Sequence, residues 1–361
     1  YVLTGDALVR SGLSQRLLDL AEATAGSLRS GLGSSTVLGC GFFSCISGSD
    51  AAGAAAVGRI TYSRLVERGY PPAYAGALVA SGACTGILIP PSIAYIIIGL
   101  VLGLPVSTLF IAALIPGVLI LGSVMLVNVV MNRIGGYENQ RARFSWSNWL
   151  RSIWAARYAL LIPFIILGGI YSGIFTPTEA AAIAAVTTIG IGLAQRTITL
   201  ADFPNMLESS AKVCGIIVPI IAFSLPLAQA LAAVDMPEGL STTVMAHLDS
   251  PVTVILLMLV VFMIAGCVME ATPNIVILAP IMLPIAQDIG MEPIHFAVFM
   301  ITTLGIGFIT PPLGLNLFVL SSLTRQSVLA IAWRAVPFVL LMMVAALVVA
   351  FVPALSLWAV N

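Results

Sequence analysis

Long apolar segments follow one another along nearly the whole chain of 361 residues, and they limit its fold more than any other feature. About 20 apolar residues in helical conformation span a bilayer. Charged residues make up only 8% of the sequence, whereas a soluble domain carries roughly 25%. We therefore predict an all-α polytopic membrane protein. Its zero net charge argues against a nucleic-acid partner.

The fifteen basic residues orient the predicted helices, because Lys and Arg concentrate on the cytoplasmic side of a membrane. They fall into five groups, and one of these is an arginine-rich cytoplasmic loop, 133–157. An assignment that keeps every group in the cytoplasm requires full crossings between the groups. The predicted unbroken crossings are 106–131, 155–172, 177–195, 212–233 and 329–355.

Two further apolar segments do not fit a full crossing. Segment 30–62 has arginines near both ends, so it enters from the cytoplasm and returns there. Segment 251–287 has no Lys or Arg near its ends and enters from the opposite side. Both are predicted to be re-entrant helical hairpins.

Paired prolines interrupt the segments that follow the hairpins. Pro90-Pro91 lies within segment 73–104, and Pro311-Pro312 lies within segment 294–322. Proline removes a backbone donor and clashes with the preceding turn. Each of these segments is therefore predicted to be a broken transmembrane helix.

A constant shift of 221 positions superimposes the two halves of the chain. Under this shift ILIPPSIAY (87–95) aligns with FITPPLGLN (308–316), and five residue pairs are identical, including both proline pairs. The two hairpins enter from opposite sides, so the halves form an inverted repeat. Inverted repeats with matching broken helices are typical of secondary transporters, which bind their solute near the membrane midplane.

A broken helix presents two kinds of backbone group at membrane depth. The carbonyl end of its first half suits a cation, and the amide end of its second half suits a carboxylate. Asp50 and Glu270, near the hairpin tips, are functional candidates because ionisable residues in membranes are costly. Alternatively, they lie in a hydrated vestibule without a role. The serines and glycines at the tips can also serve helix packing alone.

Several motifs resemble the large membrane subunit, DctM-like, of tripartite ATP-independent periplasmic (TRAP) transporters. They are FFSCISGSDAAGAAAVG (42–58), GYPPAYA (69–75), ILIPPSIAYIIIG, GGIYSGIFTPTEAAAIA (168–184), PIMLPIAQDIGMEPIHF and GFITPPLGLNLFV. The resemblance spans essentially the whole chain. Compared with this family, the chain is expected to lack one or two N-terminal transmembrane segments.

The resemblance implies a Na⁺-coupled importer of organic acids, such as a C4-dicarboxylate or sialic acid, in a bacterial inner membrane. Its fold would be elevator-type, similar to the ion transporter superfamily, and no cofactor is expected besides Na⁺. Its partners would be a small four-helix DctQ-like membrane subunit and a periplasmic DctP-like binding protein. The predicted domains are 1–29 (a helix tail and an amphipathic connecting helix), 30–104 (transport repeat 1), 105–211 (scaffold), 212–250 (scaffold helix and connecting segment), 251–322 (transport repeat 2) and 329–355 (C-terminal helix).

The resemblance also implies binding residues. One sodium site would use Ser44, Gly86, Ile89 and Pro90, and the other would use Gly266, Gly307, Thr310 and Leu313. The substrate would lie between the hairpin tips, near Ser47, Gly48, Ser49, Thr272, Pro273, Asn274 and Asn316.

Asp50 departs from the family pattern, which has a small or hydroxyl residue at this position, and a carboxylate there disfavours an anionic solute. A stand-alone ion–carboxylate symporter of similar architecture remains an alternative. An intramembrane enzyme is a remote one, because the only two histidines, His247 and His295, are expected outside the core. The five cysteines lack CxxC spacing and are expected to be packing residues, and no transition-metal site is expected.

Overall fold

The computed structural model describes residues 1–28, 30–138, 144–248, 250–358 and 360, except for the side chains of residues 224, 225, 228 and 232. This part of the chain is helical and contains no β-strand. Two short 3₁₀ turns, Cys84–Ile87 and Leu200–Asp202, accompany the α-helices. The α-helices are α1 (Val2–Arg10), α2 (Leu13–Ala25), α3 (Gly31–Ser47), α4 (Asp50–Glu67), α5 (Pro72–Ala83), α6 (Ile93–Leu102), α7 (Val106–Gly135), α8 (Trp146–Tyr171), α9 (Pro177–Ala194), α10 (Phe203–Ala233), α11 (Met236–His247), α12 (Pro251–Val268), α13 (Ala271–Asp288), α14 (Pro293–Gly307), α15 (Leu315–Thr324), α16 (Val328–Phe351) and α17 (Ala354–Leu357).

Six of the described helical segments are long and apolar enough to cross a membrane. They are α7, α8, α9, α12, α16 and the segment Leu200–Phe223, which contains the first part of α10. The prediction of an all-α polytopic membrane protein is confirmed.

The internal repeat is confirmed at the level of single helices. A shift of 221 carries the bounds of α4 onto those of α13 and the start of α5 onto the start of α14. Gly69 and Gly290, which this shift also pairs, both have positive φ angles. Both Pro-Pro peptide bonds are cis. The two halves therefore share turns as well as helices.

The second repeat is inverted relative to the first. Among the described residues, four candidate membrane spans lie between the two hairpins, namely α7, α8, α9 and Leu200–Phe223, and the first broken helix counts as a fifth crossing if it spans the membrane as predicted. An odd number of crossings places equivalent points of the two repeats on opposite sides of the membrane.

Each hairpin turns through very few residues. In the first, formed by α3 and α4, Gly48 adopts a left-handed conformation at φ 61° and Ser49 caps α4 by accepting a hydrogen bond from the Ala52 amide. In the second, formed by α12 and α13, the extended residues Met269 and Glu270 make the turn. Both tips are thus short segments of irregular backbone.

The helices break at the proline pairs and not at single prolines. Pro116, Pro163 and Pro337 lie inside the continuous helices α7, α8 and α16. A helix tolerates one missing donor when neighbouring helices satisfy the freed backbone group. Two consecutive prolines remove two adjacent donors, and the helix ends before them. The first break lies between the 3₁₀ turn and α6, and the second lies between α14 and α15.

The two repeats interlock into one buried body. Helix α15 of the second repeat packs on α4 and α5 of the first, and α13 packs on α6. All residues of α14 from His295 to Gly307 are buried. By contrast, only 6% of the membrane-crossing window that includes α10 is buried, against 56% for α7. Helix α10 therefore lies at the periphery, where it contacts α1 and also α13 of the second repeat.

The predicted arginine-rich loop 133–157 is largely helical. Helix α7 continues to Gly135, and α8 begins at Trp146, where Ser145 accepts a hydrogen bond from the Asn148 amide. No helix-breaking residue separates this start from the apolar part of α8, so one helix runs from the predicted loop into the membrane. Part of the loop, 139–143, lies outside the described residues.

Candidate functional site

The tip of the first hairpin contacts the first break directly through the backbone. The Ile93 amide at the start of α6 donates a hydrogen bond to the Gly48 carbonyl over 3.3 Å. A Cβ atom on Gly86 would lie 2.7 Å from the Asp50 Cα and 2.8 Å from the Ser49 carbonyl carbon. Only glycine at position 86 permits this approach.

The predicted residues of the first sodium site lie around this contact. Ser44 is buried on α3 and its hydroxyl donates to the Cys40 carbonyl over 2.6 Å. Among the described residues, no hydrogen bond reaches the carbonyl oxygens of Gly86, Ile89 or Pro90. Unsatisfied carbonyls at membrane depth are costly unless a ligand satisfies them.

The second hairpin and the second break meet in the same way. A Cβ atom on Gly307 would lie 2.6 Å from the Cα and carbonyl carbon of Gly266. The amides of Leu313 and Gly314 donate to the Cys267 carbonyl over 3.2 and 3.1 Å. The Thr310 hydroxyl donates to a backbone carbonyl in the preceding helical turn over 2.9 Å. All four predicted residues of the second site are therefore within this contact or next to it.

Both hairpin tips line one cavity. Its volume is about 250 Å³. Helix α6 contributes Ile93 and Ala94, and helices α1 and α10 also line the cavity. The predicted substrate residues on this cavity are Ser47, Gly48, Ser49 and Thr272.

Three predicted substrate residues are absent from the described cavity wall. Pro273 is half-buried in the first turn of α13. Asn274 is fully buried and its amide nitrogen donates to the carbonyls of Ala265 and Met269, each over 3.0 Å. Asn316 is also fully buried, between the two repeats, where its amide nitrogen lies 3.5 Å from the Ala80 carbonyl.

The start of α6 lacks a side-chain cap. Ser92 occupies the N-cap position but its hydroxyl donates to the Ile87 carbonyl over 2.7 Å. No acidic residue lies in the first turn of α6. The positive end of this helix therefore faces the cavity without a carboxylate of its own, which suits an anionic ligand.

The sequence interpretation missed the part of the cavity wall that α1 and α10 form. Asp6 on α1 and Ser209 on α10 line the cavity. These positions are about 200 residues apart, and neither belongs to the repeat motifs. One feature of the sequence could have identified Asp6 as a candidate, because it is an ionisable residue in an apolar segment.

The comparison with protein families gives a match over residues 1–355 to "Tripartite ATP-independent periplasmic transporter, DctM component". The chain belongs to the DctM family.

Several relatives of this DctM-family chain carry transport names. It is 38% identical to the C4-dicarboxylate TRAP transporter large permease protein DctM of Pseudomonas aeruginosa, over 99% of the chain and 84% of that protein. It is 33% identical to the 2,3-diketo-L-gulonate TRAP transporter large permease protein YiaN of Escherichia coli, over 98% and 83%. It is 32% identical to the isethionate TRAP transporter permease protein DctMQ of Oleidesulfovibrio alaskensis, over 99% of the chain and 56% of that protein.

A solved structure shares the fold. The crystal structure of the Alcanivorax borkumensis YdaH transporter, described as having an unusual topology, matches with a TM-score of 0.65 over 98% of this chain and 85% of that one. Sequence identity is 15%, so this likeness concerns the fold alone.

Membership of a family of transporter permease subunits confirms that the DctM-family chain is not an enzyme. One premise of that prediction is nevertheless wrong. His295 was expected outside the core, but its side chain is only 1% exposed and its Nε2 atom lies 3.1 Å from the Ala350 carbonyl. The reason is that α14 is buried along its length.

Proposed function

We propose that the chain is the membrane subunit through which a Na⁺-coupled TRAP transporter imports an organic acid. The observation that carries this proposal is the single cavity shared by both hairpin tips and the uncapped start of α6. A carboxylate of the solute binds at the positive end of α6, beside the hydroxyls of Ser47, Ser49 and Thr272. Acids named in the relatives, including a C4-dicarboxylate and isethionate, support an anionic solute.

Sodium binds at the two contacts between a hairpin and a break. In the first, Ser44 contributes its hydroxyl oxygen and the break contributes the carbonyls of Gly86, Ile89 and Pro90. In the second, Thr310 contributes its hydroxyl oxygen, together with the backbone of Gly266, Gly307 and Leu313. Uncharged oxygen ligands suit a monovalent cation, and the short hairpin-to-break distances support this assignment. A bound ion joins the hairpin to the broken helix.

Transport proceeds by movement of the interlocked repeats against helices α1 and α10. The cavity supports this step because its wall comes from different parts of the molecule, namely the hairpin tips of the repeats and helices α1 and α10. Sliding of the repeats past α1 and α10 carries the occupied cavity across the membrane as an elevator. The interlocked repeats move together because α15 and α13 pack on helices of the first repeat.

The partners follow from the family. We propose a small DctQ-like membrane subunit and a periplasmic DctP-like protein that delivers the solute, in a bacterial inner membrane. The relative named DctMQ supports the first partner, since the chain covers only 56% of that longer permease.

Reconstitution into proteoliposomes tests the proposal. The chain, reconstituted with a small DctQ-like subunit and a DctP-like binding protein, should take up the binding protein's acid when an inward Na⁺ gradient is imposed. Uptake should fall to the level of empty vesicles when any partner or Na⁺ is omitted. Uptake without the binding protein would indicate a stand-alone symporter. Uptake that is unchanged without Na⁺ would refute the coupling.

A further inference from the structure

The candidate cavity carries an excess of carboxylates. Asp50 and Glu270 line it from the two hairpin tips, and Asp6 lines it from α1. Asp6 pairs with Arg10 at 3.0 Å, so its charge is compensated. Among the described residues on the cavity wall there is no Lys, Arg or His. The charges of Asp50 and Glu270 therefore have no cationic counterpart on the wall.

One carboxylate oxygen of Asp50 has no hydrogen-bond partner in the described part of the chain. The Asp50 side chain is 4% exposed, and this oxygen, Oδ2, is buried. The Glu270 carboxylate repels the Asp50 carboxylate, whereas the Asn316 side chain and the backbone amides of Asp50 and Ala51 favour its charged form through hydrogen bonds. The Oδ1 atom of Asn316 is likewise buried without a partner. While Asp50 is ionised both unpartnered atoms are acceptors, so the group that completes the site is a donor or a cation, either from a ligand or as a proton on Asp50 itself.

The charge of the solute determines whether Asp50 gains a favourable partner in the cavity. A buried carboxylate without a partner is strongly unfavourable. A simple dicarboxylate would add two negative charges close to Asp50 and Glu270, and repulsion between like charges at a few ångströms is large in a medium of low dielectric constant. A solute with a positive group would instead provide the missing partner.

We infer that the transported acid also carries a cationic nitrogen, which binds beside Asp50 and Glu270 while its carboxylate binds at the start of α6. This inference rests on the proposed function, because it names the class of solute in the same cavity. Gly48, only two residues before Asp50, accepts the hydrogen bond from the Ile93 amide. The two subsites are therefore adjacent, which favours a solute with few atoms between amine and carboxylate.

Matched pairs of probes test the inference on the purified full chain in lipid nanodiscs containing NaCl. The pairs are alanine with propionate, aspartate with succinate and 4-aminobutyrate with butyrate. Binding is followed by the shift of the thermal unfolding midpoint. In at least one pair the amine-bearing acid should bind about tenfold or more tightly, as expected for a buried charge pair. The variant D50N should reduce that ratio to about one.

Two further variants keep the result interpretable. D50S removes the charge with a smaller side chain and should reproduce the D50N result if D50N folds poorly. D19N makes the same change at an exposed carboxylate on α2, hydrogen-bonded to Gln15, and should leave the ratio unchanged. Stabilisation by Na⁺ at the second site should persist in the Asp50 variants, because Gly266, Gly307 and Thr310 lie at the other hairpin, whereas Gly86 of the first site contacts Asp50 directly.

Each contrary result has a defined meaning. Equal binding within all three pairs, no binding of any amine-bearing probe at its solubility limit, or a ratio that survives both Asp50 variants overturns the inference. Loss of Na⁺ stabilisation in both Asp50 variants with an unchanged ratio would make Asp50 part of a metal-cation site and also overturns it. Absence of Na⁺ stabilisation in the wild-type chain counts instead against the proposed coupling, whatever the probe ratio.

Discussion

Gly307 lies where the second hairpin and the second broken helix touch backbone to backbone. A Cβ atom at this position would lie 2.6 Å from Gly266 and 2.8 Å from the Met263 carbonyl oxygen. These are backbone atoms and cannot move aside as a flexible side chain can. Gly307→Ala therefore forces α12 and α14 apart by about 0.8 Å if the contact is to reach the ordinary 3.4 Å.

The expected cost has two opposing parts. Overpacking of a well-packed contact destabilises by about 1–3 kcal/mol. Replacing glycine by alanine in a helix returns up to about 1 kcal/mol. We expect a net decrease of about 1–2 kcal/mol in the free energy of unfolding, because the clash involves backbone on both sides.

The effect on sodium should be larger than the effect on stability. Binding sites require their ligands to be held within about 0.5 Å of the productive geometry, and the expected separation exceeds this. Loss of such positioning typically weakens metal binding by about 10–100-fold. Sodium titrations followed by thermal unfolding of the purified chain should show an apparent Na⁺ affinity at least about tenfold weaker in Gly307→Ala.

Gly305→Ala provides a matched control one half-turn earlier in the same helix. The first atom its Cβ would meet is Cδ1 of Ile87 at 3.3 Å, the far end of a flexible side chain. We expect wild-type sodium affinity and unchanged or slightly higher stability. The reasoning is refuted if Gly307→Ala keeps the wild-type sodium affinity, or if both variants lose it equally.

Three further substitutions test other contacts. Glu138 is buried in the loop after α7 and accepts hydrogen bonds from the Leu32 amide over 3.1 Å and from a tyrosine hydroxyl. Glu138→Ala should therefore lower the unfolding free energy, measured in denaturant titrations, by about 2–4 kcal/mol. Burial raises the pKa of the Glu138 carboxyl above its ordinary 4.5. Its protonated form therefore stabilises the fold below pH 4.5, and this contribution is lost as the pH rises through the raised pKa. The variant Glu138→Gln should abolish this pH dependence of the unfolding free energy. Gly48→Ala and Gly103→Ala both place alanine at a positive φ, but only the Cβ atom at position 48 would meet a backbone oxygen, at 2.8 Å. We therefore expect a larger drop in melting temperature for Gly48→Ala. Equal drops would contradict the contact at the first hairpin tip. Asn274→Ala removes two hydrogen bonds at the second hairpin tip. It should lower the unfolding free energy by about 1–2 kcal/mol and reduce solute uptake. Unchanged uptake would contradict a role for this tip in transport.

The repeat could be read from the sequence almost to the residue. Paired prolines and glycines fix where helices end and turns form, and these constraints are local. The constant shift of 221 therefore predicted matching helices, and the bounds of α4 and α13 obey it. Pro90-Pro91 interrupts the first broken helix, whereas α7 continues through the single Pro116, which neighbouring helices can accommodate.

The cavity could be predicted only in part. The serines of the first tip line it as predicted, because the tip is one short contiguous segment. Asp6 and Ser209 could not be assigned to it, since their proximity depends on how α1 and α10 pack. Asn274 stays a predicted substrate residue, and its amide nitrogen also donates to two backbone carbonyls of the second hairpin. A polar residue near a tip has the same sequence signature in either role.

Binding of radioactive ²²Na⁺ to the purified chain tests the central claim most directly, because the proposed sites need neither solute nor partners. We predict saturable binding of two ions per chain. Ser44→Ala should weaken one ion and Thr310→Val the other, each by about tenfold or more. The absence of saturable binding, or two variants with the wild-type isotherm, would contradict the proposal that the duplicated contacts between hairpins and broken helices bind the coupling ions.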